Sequence, residues 1–176
     1  MRWAGALRHE LSARNQQIAA LNGSLHELTA GEMPSVIFGR NESRQHGNFY
    51  PASNRNICAN PGWARRLAKV HTGSRKAQPR AGWRWMELDC ANSSDALLMN
   101  IFCYRRTLSN PALSSMLGIR SGLVPQFGFR PEIPLRSGRT DRTEIDMKLG
   151  TLMVEAHRDG FSNGARKNDR EISGPG

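Results

Sequence analysis

Asp146 and Glu155, with eight residues between them in TEIDMKLGTLMVEAH (143–157), are the pair whose type and spacing suit a divalent cation. Ile145, Met147 and Leu149, then Leu152, Val154 and Ala156, alternate with polar residues, as in two strands that each bury one face. The opposite face carries Glu144, Asp146, Lys148, Thr151, Met153, Glu155 and His157. A two-residue Leu149-Gly150 turn predicts Asp146 opposite Met153 and Glu144 opposite Glu155. Asp146 and Glu155 are then diagonal neighbours, about 7–8 Å apart at the backbone. Two such carboxylates repel each other in water, and a cation relieves the repulsion. Mg²⁺ (or Mn²⁺) takes hard oxygen ligands and keeps several waters, which suits two carboxylates and a phosphate oxygen. A metal held there polarises a phosphodiester and acidifies an attacking water. The plain alternative is a solvent-facing polar hairpin with no chemistry.

The elements that must position this pair lie upstream. Ser93 or Ser94 suits a helix N-cap and Asp95 the first turn, with ALLMNIFCY continuing as an apolar helix that buries Leu97, Leu98, Ile101 and Phe102. A shorter helix is expected over 111–117, ended by Gly118. GLVPQFGFRPEIPL reads as extended chain broken by prolines, and RSGRTDR as a basic loop leading into the hairpin. At the other end, Leu7, Leu11, Ile18, Leu21, Leu25 and Leu28 form one stripe of a helix over 2–30. That stripe either packs on its own domain or meets a second copy as a homodimer.

Charge points to a polyanion partner. The chain carries 25 Lys+Arg against 15 Asp+Glu, a formal +10, which favours nucleic acid over an anionic membrane surface. From Ser43 to Met86 there is no acidic residue. The same stretch holds Arg44, Arg55, Arg65, Arg66, Lys69, Arg75, Lys76, Arg80 and Arg84, interleaved with Phe49, Tyr50, Trp63, Trp83 and Trp85. Within it, Asn60 and Pro61 open a helix over 61–70 that turns Arg65, Arg66 and Lys69 to solvent and Trp63, Leu67 and Val70 to the core. Basic side chains neutralise phosphates and aromatics stack on bases. The expected nucleic-acid contacts are Arg65, Arg66, Lys69, Arg75, Lys76, Arg80 and Arg84; a solvated basic face over buried tryptophans is the alternative. Three cysteines without CxxC spacing argue against a zinc finger or a disulfide framework. With no signal-like segment or long apolar run, a cytoplasmic protein that does not enter membranes is expected.

The pattern Asp146…Glu155-Ala156-His157, behind the helix SSDALLMNIFCY, resembles the D…(D/E)xK signature of the PD-(D/E)XK, or restriction-endonuclease-like, nucleases, over about residues 87–157. The resemblance implies an α/β fold with a three-layer core around a mixed central sheet. It implies Asp146 and Glu155 as metal ligands helped by the Ala156 carbonyl, with Asp95 (or, second, Glu87) completing the site, and metal-dependent hydrolysis of DNA. His157 stands where the signature has lysine. It can supply a positive charge when protonated, or act as a base or ligand when neutral. Lys148, on the same face, is a candidate substitute.

The expected organisation is an amphipathic helix over 1–32, a basic loop-rich region over 33–86, the nuclease-like core over 87–157 and a disordered tail over 158–176. The resembled fold continues with a strand and helix that this tail is poorly suited to form. A C-terminally shortened, weakly active product is therefore expected. An inactive nucleic-acid-binding relative is the alternative.

Overall fold

The computed structural model describes residues 3–29, 34–39, 46–70 and 86–156. Helix α1 spans Trp3–Leu21 and stops nine residues short of the expected end. Gly23, at φ +56°, adopts the left-handed conformation, and the Gly23 and Ser24 amides return to the Ala20 and Ala19 carbonyls. This is a Schellman ending. Leu25 and Leu28 consequently leave the helix, and His26–Leu28 becomes β1, paired antiparallel with β2, Val36–Phe38. The face α1 turns inward carries small side chains: Ser12 and Ala19 are buried, Ala19 against Val36 and Phe38, and the Ser12 hydroxyl donates to the Pro34 carbonyl. All six residues of the leucine stripe are exposed.

Helices α2 (Pro51–Ala59) and α3 (Pro61–Ala64) meet at Asn60, whose side chain accepts from the Gly62 and Trp63 amides. The chain then tightens into a 3-10 turn over Arg65–Ala68. Ser93 caps α4, Ser94–Phe102, by accepting from the Ala96 amide at 3.2 Å. Two short helices follow, α5 (Arg105–Leu108) and α6 (Pro111–Met116). The buried face of α4 differs from the expected one. Asp95, Ala96, Leu98 and Met99 are inside, while Leu97 and Ile101 are exposed. Polar anchors set this rotation: Asn100 accepts from the Tyr50 amide and donates to the Asn48 carbonyl. The core gathers Phe49, Ile57, Leu88, Ala96, Met99 and Cys103, with Trp63, Leu67 and Phe127 packed against it.

The remaining strands are β3 (Gln126–Phe129), β4 (Ile133–Pro134), β5 (Thr140–Asp141), β6 (Ile145–Leu149) and β7 (Leu152–Val154). β3, β6 and β7 form one sheet in that order, and β4 and β5 a separate ribbon. Every pairing among the described residues is antiparallel, so the parallel strand of a mixed sheet is not among them. Phe127, Met147 and Val154 share the sheet face that meets the α4 core. On the reverse face Gln126, Met153 and Glu155 are exposed. The domain is thus mixed α and β, with helices seen behind one face of its largest sheet. No helix among the described residues is long and apolar enough to cross a membrane. The expected tail, 158–176, lies outside the described residues.

Candidate metal and phosphodiester site

The hairpin turns one residue later than the sequence suggests. Leu149 pairs with Leu152, Lys148 with Met153 and Met147 with Val154, leaving Gly150 and Thr151 as the loop. Gly150, at φ +63°, supplies the left-handed residue that a two-residue hairpin requires. Register moves by two, so each side chain keeps its expected face. The last ladder pair is Met147 with Val154, so Asp146 and Glu155 are the next residues outward on the two sides of the hairpin.

Asp146 is half-buried and Glu155 exposed. One Asp146 oxygen, Oδ2, accepts the Ala156 amide at 2.9 Å, which closes the hairpin beyond its last ladder pair. Ala156 itself borders a cavity of about 310 Å³ shared with Leu11 of α1 and with Ser93 and Leu97 at the start of α4. The carboxylates of Asp146 and Glu155 are hard oxygen donors, the type that suits Mg²⁺ keeping water ligands. Among the described residues no group of three or more His, Cys, Asp or Glu side chains converges as a metal cluster. His157 lies outside the described residues.

Lys148 does not turn towards these acids. Its ammonium sits 4.2 Å from the centroid of the Phe129 ring, on the β3 side of β6, whereas Glu155 follows β7 on the other side. A cation–π contact of this kind is worth roughly 0.5–1 kcal/mol at an exposed site.

Asp95 belongs to a different constellation. Its carboxylate meets Arg66 in a short ion pair, and Lys69 lies 3.7 Å away. Glu144 joins them, with Oε1 3.0 Å from Arg66 Nη2 and 2.6 Å from Lys69 Nζ, while Arg130 reaches its Oε2. The expected solvent orientation of Arg66 is therefore corrected: the 3-10 turn carries it inward, to a side-chain exposure of 13%. Lys69 is also engaged, and Arg65 remains exposed. Arg75, Lys76, Arg80 and Arg84 lie outside the described residues. Val70 is exposed rather than buried, and it bridges to Met86.

Electrostatics in this constellation are strong. Burial alone would raise the Glu144 pKa, but hydrogen bonds from Lys69 and Arg66, and then their charges, bring it down to about 2. Arg66 is held above its usual value: burial opposes its charge, and Asp95 and Glu144 more than compensate. Its room comes from a missing side chain. A Cβ on Gly128 would collide with the Arg66 guanidinium, and Gly128 holds φ +64°. Gly128→Ala is expected to cost about 1–3 kcal/mol through backbone strain and displacement of Arg66. Urea unfolding measures this, and an unchanged midpoint would show that the guanidinium moves aside freely.

Sequence reasoning named Asp95, Arg66 and Lys69 but gave them other partners, because pairings across 29 and 78 residues leave no local pattern. It also missed His46. That ring is buried against Asp89, Nε2 to Oδ1 2.9 Å, while Nδ1 accepts the Asn48 amide. The ring therefore donates its Nε2 proton to Asp89. Asn48 completes the clamp by donating to the Leu88 and Cys90 carbonyls, fixing the segment 46–49 against 86–90.

The domain is a helix-backed antiparallel sheet whose last hairpin carries Asp146 and Glu155 next to its final ladder pair. The family model described as restriction endonuclease associating with ARP matches residues 19–157, and the chain belongs to that restriction-endonuclease family. The match extends well before residue 87, taking in β1, β2, α2 and α3. Comparisons with curated proteins and with solved structures find no match.

Proposed function

We propose that this chain is a metal-dependent, endonuclease-like protein that hydrolyses DNA phosphodiester bonds. Asp146 and Glu155 are the carboxylates that hold Mg²⁺ (or Mn²⁺), the Ala156 carbonyl adds a third oxygen, and His157 takes the place of the signature lysine. The single observation that carries the reading is the hairpin register, in which Asp146 and Glu155 each adjoin the last ladder pair, Met147 with Val154. Membership of a restriction-endonuclease family agrees with it. When bound, the cation would polarise the phosphodiester and lower the pKa of an attacking water. Asp146 and Glu155 orient the scissile phosphate through that charge, and a protonated His157 would offset charge developing on its oxygens.

In this reading Asp95 does not ligate. Held with Glu144 by Arg66 and Lys69, it fixes the start of α4 against the strand leading to Asp146. The phosphate contacts then fall to Arg65, Arg75, Lys76, Arg80 and Arg84, since Arg66 and Lys69 are already committed to carboxylates. The exposed leucine stripe of α1 offers a homodimer its surface. A three-layer core around a mixed sheet, completed outside the described residues, belongs to the same proposal. So does a cytoplasmic setting, which agrees with free thiols at Cys58, Cys90 and Cys103.

A second reading, an inactive relative that binds nucleic acid without cutting it, is favoured by two observations. Asp146 Oδ2 is engaged by the Ala156 amide, and Lys148 faces Phe129 rather than the acids. Nicking of supercoiled plasmid separates the two. The native protein is expected to nick with Mg²⁺ or Mn²⁺, to stop with chelator, and to lose about 100-fold or more in Glu155→Gln. Retained DNA binding without nicking would establish the second reading. In that case cutting gained by His157→Lys would assign the deficit to that position.

A further inference from the structure

Between β3 and β6 the chain leaves the domain. Every residue from Glu132 to Thr140 is exposed, yet the segment is ordered as a ribbon: Ile133 pairs with Asp141 and Pro134 with Thr140. Its tip is tight. The Leu135 amide donates to the Arg139 carbonyl and the Gly138 amide to the Leu135 carbonyl, with Gly138 at φ +74°. Ile133 and Leu135 remain exposed although they are apolar. An isolated two-stranded hairpin is at best marginally stable in water, and an uncovered ribbon is a pairing hazard.

Four arginines punctuate this ribbon. Arg130 pairs with Glu144 and Arg142 with Glu132. Arg136 and Arg139, at the tip, have no ion pair among the described residues. The charge at the base is thus neutralised, while the tip presents two guanidinium groups with no ion pair to any other described residue.

We propose that the ribbon 130–142 is a DNA-binding arm whose tip enters a groove of duplex DNA, with Arg136 and Arg139 meeting the phosphates that flank it. The occupant follows from charge complementarity and shape. Guanidinium groups pair with phosphate oxygens in a planar, bidentate manner. The major groove of B-form DNA, about 12 Å wide, admits a two-stranded ribbon, whereas the deep, narrow major groove of A-form RNA does not. Ile133 and Leu135 are positioned to meet sugar and base edges once the tip is seated. The inference rests on the nuclease reading for its purpose. Asp141 ends β5 only five residues before Asp146, a span of at most about 17 Å, so an arm seated in a groove holds the neighbouring backbone near the acidic pair.

The test is fluorescence anisotropy of the full chain with a short DNA duplex in chelator, so that binding is read without cleavage, over a range of salt. For Arg136→Ala/Arg139→Ala the slope of log K against log salt is expected to become shallower by about 1.8, the loss of two phosphate contacts. Arg136→Lys/Arg139→Lys is expected to keep most of the slope. Arg105→Ala/Arg120→Ala, which removes the same charge from exposed positions elsewhere, serves as control and is expected to change it less. An unchanged slope in the arm variant, or an equal change in the control, overturns the arm while leaving the nuclease reading to the plasmid assay. Equal affinity for duplex RNA or single strands overturns the groove. Failure of the native chain to bind duplex DNA at any salt overturns the arm and the nuclease reading together.

Discussion

Arg66→Ala is expected to lower the unfolding free energy by about 3–5 kcal/mol, the range for removing one partner of a buried ion pair. The size follows from what would be left behind. The Asp95 side chain is only 4% exposed, and without Arg66 the nearest cation among the described residues is Lys69 at 3.7 Å. Its Oδ1, like Arg66 Nε, already lacks a hydrogen-bond partner among the described residues, so little remains to solvate a stranded carboxylate. Urea denaturation with a two-state fit measures the loss. Removing both charges together in Arg66→Met/Asp95→Leu is expected to recover most of it, because a buried pair contributes less than either of its halves costs when alone. A single-mutant cost below about 1 kcal/mol would show that water reaches Asp95.

Acid gives an independent view of the same constellation. Glu144 has its pKa depressed to about 2 from an ordinary 4.5. Its contribution to stability is therefore fully present above about pH 4.5 and is lost as pH falls towards 2. Arg66→Ala withdraws one of the cations responsible, so the part of the acid sensitivity owed to Glu144 shrinks in that window.

What the sequence revealed was local. Asn60 was legible as a cap, and Ser93 as one of two candidates with Ser94, because a cap is decided by a side chain and amides two or three residues away. The buried and exposed sides of the hairpin were also legible, since alternation survives a register change of two. Register was not, because it depends on which residue takes the left-handed turn, and Gly150 fits more than one loop. The phase of α4 was hidden for another reason: a helix apolar on most sides carries no single stripe, and Asn100 and Asp95 fix its rotation through distant partners. In α1 the stripe itself misled. Its large apolar residues face outward, and a face of small side chains, Ser12 and Ala19, meets the domain. A pair of acids on one hairpin face was therefore legible, while the ion pairs that join Asp95, Arg66, Lys69 and Glu144 across the chain were not.

Asp146 is the residue on which the nuclease and binding readings part, and two substitutions separate its duties. Asp146→Ala removes both the carboxylate and the acceptor for the Ala156 amide, so it is expected to cost about 0.5–1.5 kcal/mol in stability together with any nicking. Asp146→Asn keeps an oxygen that can accept that amide but removes the negative charge. It is expected to stay within about 0.5 kcal/mol of the native protein while losing about 100-fold or more in Mg²⁺-dependent nicking. Matched losses of nicking with unmatched losses of stability would separate the two roles and assign the chemistry to charge. Nicking that survives in Asp146→Asn would exclude an obligatory anionic ligand at this position. If the native chain binds DNA without cutting it and only the alanine variant changes stability, Asp146 is a clamp for the end of its hairpin. The acidic pair would then be part of a surface that recognises DNA and leaves it whole.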